Sequence, residues 1–171
     1  MDELKRYIRE VPDFPKPGIL FYDITTLLRD RRGLRMTIDR MVWQFSDLAV
    51  DRVVGIESRG FFFGPLLAYQ LHAGFVPVRK PGKLPAATFA QAYDLEYGSD
   101  RVEMHRDGVE PGDRVLIIDD VIATGGTAVA TAKLVEAAGA KVAALGFLLE
   151  LSFLAGRERL AGYDVRSLIQ Y

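Results

Sequence analysis

The stretch VLIIDDVIATGGT, residues 115–127, decides the fold of this chain. Its apolar residues 115–118 run directly into Asp119 and Asp120, as expected of a buried strand that ends at the edge of a sheet. Gly125, Gly126 and Thr127 follow, and the sequence after them has helical character. A strand, a glycine-rich turn and a helix in this order predict one unit of a parallel α/β sheet.

Strand and helix patterns alternate along the rest of the chain. The apolar runs RVVGI, GFVPV, RVLII and KVAALGFLLEL predict buried strands. Apolar residues spaced by three and four between 34 and 48 predict a helix, as do FFFGPLLAYQLH, TAVATAKLVEAAG and DELKRYIREV near the start. We therefore expect an α/β fold with a central parallel sheet flanked by helices, in a single domain of residues 1–171.

Composition excludes several classes of function. The chain has 22 basic and 23 acidic residues, so its net charge of −1 gives no basic field for nucleic acid or an anionic membrane. It has no cysteine, which excludes disulfides, thiolate nucleophiles and zinc–cysteine sites. The charged N-terminus MDELKRYIRE lacks a signal-peptide core, and the longest apolar run is too short to span a bilayer. We expect a cytoplasmic protein.

Charged turns follow three of the predicted strands, at ESRG, RKPGK and DDVIATGGT. The carboxyl ends of parallel strands meet at one edge of a sheet, so we expect a ligand to bind there. Residues 83–105 form a long segment with a modest strand signal at RVEMH, which is typical of a lid. The residues expected at the binding edge are Arg59, Lys80, Lys83, Asp119, Asp120 and 124–127.

The glycine turn suits a phosphate group. Gly125 and Gly126 let successive backbone N–H groups point at one anion, and the helix that follows adds its N-terminal dipole. The patterns GxxxxGK[ST] and GxGxxG are absent, so neither a P-loop nor a dinucleotide site is predicted. A tight turn that binds nothing explains the two glycines equally well.

The two aspartates leave several chemistries open. Such a pair can bind Mg²⁺, act as acid and base, accept hydrogen bonds from sugar hydroxyls, or simply cap a helix in solvent. Beside a phosphate turn, it indicates a ligand with both a phosphate and a polyol, such as a ribose 5-phosphate. Arg59, Lys80 and Lys83 then suit a diphosphate on the same ligand, with ordinary surface cations as the alternative.

The opening stretch resembles the phosphoribosyl diphosphate (PRPP) signature of the type I phosphoribosyltransferases. DFPKPGILFYDIT, VVGIESRGFFFGPLLA, VPVRKPGKLP, YDLEYGSD and SLIQY extend the resemblance over almost the whole chain, to the members that act on adenine. It implies a parallel-sheet core at roughly 34–171, a small N-terminal hood at roughly 1–33 and a flexible catalytic loop at roughly 83–105. It also implies that the 5-phosphoribosyl group passes from PRPP to N9 of adenine, giving AMP and diphosphate, with Mg²⁺ and in a homodimer.

The same resemblance implies where PRPP binds. Asp119 and Asp120 would bind the ribose hydroxyls. Arg59 and Lys80 would meet the diphosphate, with Lys83 beside them. No residue would bind the metal directly, because Mg²⁺ would be held mainly through PRPP, diphosphate and water. The residues implied for the 5-phosphate are Ala123, Thr124, Gly125, Gly126 and Thr127.

The resemblance further implies how the base is handled. Adenine would bind at the hood strand, with one aromatic ring stacking on the purine. Glu96 would move the proton of the base, Tyr97 would lie beside it, and Arg59 would approach the purine edge. The residues implied for adenine are Leu20, Phe21, which would stack, and Tyr22, where many adenine-specific members carry arginine instead.

Two other functions fit parts of the pattern. A transferase for a 6-oxopurine usually carries an aspartate where this chain has Ala123, so this position favours adenine. A regulator that senses PRPP without catalysis would need a nucleic-acid-binding segment, and we find neither a basic excess nor a helix-turn-helix pattern. Glu96 on the lid also favours an enzyme, because a sensor has no use for a proton-transfer group.

Overall fold

The structure, a computed structural model, describes residues 3–94 and 99–171. The chain forms two compact units, Met1–Arg40 and Met41–Tyr171. Their boundary falls inside helix Arg31–Phe45, which matches the helix predicted from the apolar spacing between 34 and 48. The predicted single domain, with its hood and core, stays a prediction. Over the described residues, none of the helices combines the length and apolar character that crossing a bilayer requires.

The first unit contains a two-stranded antiparallel sheet, formed by β1, Arg9–Pro12, and β2, Leu20–Asp23. Two helices follow, α1, Thr25–Arg29, and the start of α2, Arg31–Phe45. The helix predicted for DELKRYIREV is wrong beyond the 3-10 helix Glu3–Tyr7. The reason is that Val11 pairs with Phe21 across the sheet, and this pairing outweighs the local helical pattern.

The second unit is built on a parallel five-stranded sheet, in the order β4–β3–β7–β8–β9. Helices pack against it, which confirms the predicted fold class. Its fifth strand, formed within the SLIQY region, was not predicted. The strands of this unit are β3, Arg52–Ile56; β4, Gly74–Val78; β5, Thr88–Asp94; β6, Ser99–His105; β7, Arg114–Ile122; β8, Lys141–Glu150; and β9, Val165–Gln170. The helices are α3, Gly64–Gln70, α4, Gly126–Ala137, and the 3-10 helices Arg59–Phe62, Ser152–Leu154 and Gly156–Leu160.

The topology reverses between β3 and β7. The chain runs outward from β3 to β4 and then returns to β7 on the other side of β3. In an open parallel sheet, such a reversal leaves a crevice beyond the carboxyl ends of the two neighbouring strands. The strands that frame this crevice are rigidly placed, because the side chains of Val54, Ile117 and Leu145 are fully buried in one core cluster.

Strands β5 and β6, which we call the hairpin, pair antiparallel in register from Thr88↔His105 to Asp94↔Ser99. The sequence predicted an irregular segment with a modest strand signal at RVEMH. Its irregular character is wrong where β5 and β6 form, whereas its role as a lid stays a prediction. Val102 and Met104 are buried in the core cluster, with a buried charged residue, Glu103, between them. Val102, Glu103 and Met104 alternate apolar and polar as a strand does, which gave the signal at RVEMH, whereas β5, TFAQAYD, lacks a clear alternation and was missed.

Candidate active site

A cavity of about 450 Å³ opens at the carboxyl ends of β3, β4 and β7. It occupies the crevice that the reversal of the sheet creates. Most residues that the sequence assigned to phosphate, ribose and diphosphate come together here, although they come from the ends of three different strands and the turns that follow. The lining residues are Glu57, Ser58, Arg59, Lys80, Asp119, Asp120, Val121, Ile122, Ala123, Thr124, Gly125, Gly126, Thr127, Ala128 and Phe147.

The other predicted site residues lie elsewhere or outside the described ranges. Lys83 is exposed and is not among the described residues that line the cavity; its carbonyl accepts a hydrogen bond from Arg79. Leu20, Phe21 and Tyr22 belong to β2 in the first unit, where Phe21 packs edge-on against Phe14. Glu96 and Tyr97 lie outside the described residues. The functional roles assigned to all of these residues stay predictions.

The glycine turn is held by close contacts between backbone atoms. Gly125 has a φ of +80°, and a Cβ atom there would lie 2.5 Å from the carbonyl oxygen of Gly156. Gly156 in turn leaves no room for a Cβ atom, because the carbonyl oxygen of Ala123 occupies that position. Two glycines distant in sequence therefore fix one turn, and only glycine fits at either of them.

The turn presents the N-terminus of α4 to the cavity. The helix begins at Gly126, and its first residues, Gly126, Thr127 and Ala128, line the cavity wall. The first N–H groups of a helix have no acceptor within the helix, and the helix dipole adds a partial positive charge at the same end. This end of the cavity therefore suits a phosphate group.

The two aspartates belong to a strand and not to a turn. The sequence predicted that β7 ends at Ile118, but the strand continues to Ile122 because it stays paired with β8 as far as Glu150. Asp119 keeps some exposure to the cavity, whereas Asp120 is 4% exposed. The backbone N–H of Asp120 donates to Oδ1 of Asp119 at 2.8 Å, which ties the two carboxylates to one rigid strand.

The two aspartates differ in how far their negative charges are compensated by neighbouring groups. Burial raises the pKa of Asp119 well above its usual value, and the neighbouring Asp120 charge raises it further. Burial also raises the pKa of Asp120, but the Arg59 guanidinium opposes that rise from a distance of 2.8 Å. One carboxylate thus has a cation beside it, and the other faces the cavity with its negative charge poorly compensated.

Glu57 organises the basic turn after β4, and the sequence reasoning missed it. Its carboxylate accepts hydrogen bonds from Nε and Nη2 of Arg79, at 3.1 and 3.2 Å, and from the backbone N–H of Lys80 at 3.0 Å. The Arg79 hydrogen bonds hold the pKa of Glu57 below its usual value. The sequence did contain a signal for this role of Glu57. The acidic residue of ESRG and the basic turn RKPGK follow β3 and β4, which are neighbouring strands of the sheet.

Gly60 is a second residue that sequence reasoning missed. It is buried in the 3-10 helix Arg59–Phe62, and a Cβ atom there would lie 2.6 Å from the carbonyl oxygen of Ile118. This contact lets the helix that carries Arg59 lie directly against β7. The available signal was a glycine at the end of the turn ESRG that follows the predicted strand. Gly156 gave no signal, because its contact is with residues distant in sequence.

The carboxylates at this edge make only a partial metal site. Asp119 and Asp120 offer oxygen atoms of the kind that Mg²⁺ prefers. Across residues 3–94 and 99–171, no group of three or more acidic, histidine or cysteine side chains is arranged to hold an ion. The donor set therefore fits a metal that takes most of its oxygen ligands from a bound phosphate compound and from water.

Known proteins resemble this chain along its whole length. The phosphoribosyl transferase domain family matches residues 26–168. The adenine phosphoribosyltransferase of Solibacter usitatus (strain Ellin6076) is 62% identical, over 100% of this chain and 99% of its own. The solved adenine phosphoribosyltransferase of Thermoanaerobacter pseudethanolicus superposes with a TM-score of 0.96 at 52% identity, covering 99% of this chain and 98% of that one. The Saccharomyces cerevisiae enzyme, solved with adenine and an imino-altritol bisphosphate, gives a TM-score of 0.90 at 43% identity over 96% of each chain.

Proposed function

Because the chain belongs to the phosphoribosyl transferase domain family, we propose that it transfers the 5-phosphoribosyl group of PRPP to N9 of adenine, giving AMP and diphosphate. It is thus a pentosyltransferase of purine salvage. One observation carries this proposal: the start of α4, the carboxylate pair and the cations Arg59 and Lys80 all line a single cavity. These three features match the three parts of PRPP. The helix N-terminus suits the 5-phosphate, the carboxylate pair suits the ribose hydroxyls, and the cations suit the diphosphate.

PRPP binds across this cavity in an orientation that the charges dictate. The 5-phosphate takes the N-terminus of α4, at the turn of residues 123–127. The ribose hydroxyls donate hydrogen bonds to Asp119 and Asp120, because ionised carboxylates only accept. The diphosphate lies toward Arg59 and Lys80, which line the cavity beyond the aspartates.

The aspartates also act on the reaction itself. Displacement of diphosphate by a purine nitrogen passes through a state with positive charge on the ribose ring, as in other glycosyl transfers. A carboxylate that is poorly compensated in the free cavity, such as Asp119, gains most from a cation that develops beside it. The pair therefore stabilises the transition state more than the ground state, and this difference accelerates the reaction.

Handling of the base is assigned to residues outside the cavity wall. Ala123 has no titratable group, so a proton of adenine must pass to another residue. We assign this role to Glu96, with Tyr97 beside it, and stacking of the purine to Phe21, between Leu20 and Tyr22. These assignments rest on the similarity of the chain to adenine-specific relatives.

Mg²⁺ is part of the proposal. Of the three described carboxylates that line the cavity, Asp119 and Asp120 would face such an ion, because Glu57 is already engaged by Arg79. When bound with PRPP, the ion would neutralise charge on the diphosphate oxygens. Arg59 and Lys80 act on the same oxygens from the protein side, by ion pairing and hydrogen bonding.

We also propose that the protein is a homodimer. Phe62, Leu66 and Tyr69 are exposed apolar residues at spacings of four and three, and Tyr69 is 79% exposed. Such a stripe suits an interface with a second copy, since aromatic residues are enriched there. The stripe begins on the 3-10 helix that also carries Arg59, so a partner that covers it would brace one wall of the cavity. A cytoplasmic location remains a prediction of the sequence.

The proposed activity is tested by supplying purified protein with PRPP and Mg²⁺ and one of four bases: adenine, hypoxanthine, guanine or orotate. We expect AMP from adenine and little or no product from the other three. PRPP binding without any AMP would instead indicate a regulator that senses PRPP. Product from hypoxanthine or guanine at a comparable rate would overturn the assignment to adenine.

A further inference from the structure

The ammonium group of Lys80 is held by two residues of the hairpin. It donates a hydrogen bond to the hydroxyl of Tyr93 at 2.8 Å and forms an ion pair with the carboxylate of Asp100. The Tyr93 hydroxyl donates to the same carboxylate at 3.1 Å, and the ammonium lies 5.4 Å from the centre of the Tyr93 ring. The three side chains therefore form a closed cluster, in which each contacts the other two.

This cluster joins the cavity to one end of the hairpin. Lys80 lines the cavity, whereas Tyr93 on β5 and Asp100 on β6 are directly paired across the hairpin. At the other end of the hairpin, the backbones of Arg79 and Glu103 exchange two hydrogen bonds, at 2.9 and 2.8 Å. The hairpin is thus held by backbone pairing between Arg79 and Glu103 and, at Tyr93 and Asp100, by the Lys80 ammonium together with packing of Tyr93 against the core cluster.

The backbone of Lys80 is fixed, so only its side chain is free to change partner. The backbone N–H of Lys80 donates to Glu57, which also holds Arg79. Burial lowers the pKa of Lys80, but hydrogen bonds to Asp100 and Tyr93 outweigh this effect and raise it, so the ammonium stays charged. A charged lysine on a four-carbon stem can exchange one anion for another without movement of the chain.

We propose that Asp100 and Tyr93 are positioning residues that hold the Lys80 ammonium until the diphosphate group of PRPP displaces the Asp100 carboxylate. This inference rests on the proposed function, because it needs a diphosphate in the cavity. While Asp100 neutralises Lys80, the cationic edge presents less net charge to an incoming anion. Diphosphate binding and attachment of the hairpin at Asp100 therefore compete for the same ammonium group.

The affinity for inorganic diphosphate with Mg²⁺, measured by calorimetry on the full chain, tests this competition. Asp100→Asn removes the competing charge, so we expect it to bind diphosphate about threefold to tenfold more tightly than the wild type, the range set by a partly exposed ion pair. Asp107→Asn is the matched control, because it removes an exposed carboxylate just after β6 that has no partner among the described residues. Tyr93→Phe keeps the ring, removes the two hydrogen bonds of the hydroxyl but leaves the Asp100 charge, and should give a smaller change in the same direction.

Steady-state kinetics separate positioning from a merely structural role. In Asp100→Asn the KM for PRPP should fall while kcat stays equal or falls, since diphosphate leaves more slowly. A structural or preorganising role for Asp100 would instead raise the KM. Hydrogen exchange gives a second readout: diphosphate should speed exchange at residues 99–101 in the wild type, and Asp100→Asn should show the faster exchange without ligand.

The outcomes distinguish this inference from the proposed function. Failure of the wild type to form AMP from adenine and PRPP would overturn both. Normal AMP formation, with diphosphate affinity in Asp100→Asn equal to that of Asp107→Asn or weaker, would overturn only the competition for Lys80. Tighter binding of diphosphate by Asp100→Asn, together with a lower KM for PRPP, would support the competition for Lys80.

Discussion

Nε of Arg59 lies 2.8 Å from Oδ2 of Asp120, between the carboxyl ends of β3 and β7. The side chain of Asp120 is 5% exposed, whereas that of Arg59 is 36% exposed and reaches the cavity. A guanidinium has five N–H donors in a planar fork, so it can hold a carboxylate and contact a ligand anion at once. Arg59 therefore opposes the effect of burial on Asp120, and its remaining donors can meet the diphosphate that we propose for this cavity.

Arg59→Ala should shift the pH dependence of the reaction. Without the guanidinium, the pKa of Asp120, which burial already raises, should rise further, because Arg59 is the main influence that opposes burial. Since only the ionised carboxylate stabilises a cationic ribose, the acid limb of kcat/KM for PRPP should move to higher pH. We also expect the maximal kcat/KM to fall by about 100-fold, as for loss of one key electrostatic group.

The measurement for Arg59→Ala is kcat/KM from about pH 4 to pH 9, a range that begins near the ordinary pKa of an aspartate and so covers an upward shift. Stability should fall by about 1–3 kcal/mol in urea unfolding, less than for a fully buried pair because Arg59 is partly exposed. Arg35→Ala is the control, since it removes an arginine whose side chain is 84% exposed. An acid limb equal to that of the wild type would show that Arg59 does not control Asp120.

Asp119→Asn should stabilise the protein and impair its function. Burial and the Asp120 charge raise the pKa of Asp119, so the folded protein binds this proton more tightly than the unfolded chain. The associated stability is complete below the unfolded pKa of about 3.9 and is lost as the pH rises through the folded pKa. Asparagine carries no charge, so the variant avoids this loss and keeps an oxygen to accept the Asp120 N–H.

We expect the Tm of Asp119→Asn to exceed that of the wild type by about 2–4 °C near pH 8, equivalent to about 1 kcal/mol, and by less near pH 5. The KM for PRPP should rise and kcat should fall, because the hydroxyl acceptor and the negative charge are both weakened. Thermal unfolding at the two pH values and steady-state kinetics check this. Equal Tm shifts at both pH values would contradict the raised pKa.

The sequence predicted the parts of the site that depend on local patterns. Apolar runs marked the four strands from β3 to β8 in the main sheet, and the polar turns after them marked Arg59, Lys80 and the aspartates as neighbours. This worked because strands of a parallel sheet end at a shared edge, so strand ends alone identify the residues there. Lys83 shows the limit, since its turn extends beyond the cavity and its side chain lies in solvent.

Features that depend on distant contacts escaped prediction. β7 extends through both aspartates because β8 pairs with it, and no local sequence pattern predicts that pairing. β5 was missed because its sequence, TFAQAYD, shows no clear alternation and its pairing with β6 is a contact between two separate segments. Gly156 supports the glycine turn of residues 123–127 through backbone contacts with residues more than thirty positions away in the chain.

Gly156→Ala should disrupt the glycine turn of residues 123–127. The added Cβ atom would collide with the carbonyl oxygen of Ala123, and the backbone of the turn must move to make room. We expect the KM for PRPP to rise by about tenfold or more, and binding of ribose 5-phosphate to weaken equally, since misplacement by about 1 Å has costs of this size or larger. Calorimetry with ribose 5-phosphate checks this. Ala161→Ser, which adds one atom at the exposed end of the same 3-10 helix, should bind normally.

Glu96→Gln tests the assignment of proton transfer. Glutamine keeps the size of the side chain but cannot take up a proton, so kcat should fall by about 100- to 10,000-fold, the usual contribution of a general acid–base group. PRPP affinity should stay close to that of the wild type, because the residues proposed to bind PRPP line the cavity of the sheet. Pre-steady-state turnover and PRPP titration measure the two effects. Normal turnover would remove Glu96 from the mechanism.

Leu66→Glu should separate the proposed dimer. Leu66 lies between Phe62 and Tyr69 in the exposed apolar stripe, and a carboxylate there would be buried without a partner in a symmetric interface. Sedimentation at micromolar concentration should show a species of two chains for the wild type and of one chain for the variant. Leu154→Glu is the matched control, since it makes the same change at an exposed leucine of the 3-10 helix Ser152–Leu154, outside the stripe, and should remain dimeric. Because the stripe shares its 3-10 helix with Arg59, the monomeric variant should also have a higher KM for PRPP. A monomeric wild type, or a Leu66→Glu variant that stays dimeric, would contradict this interface.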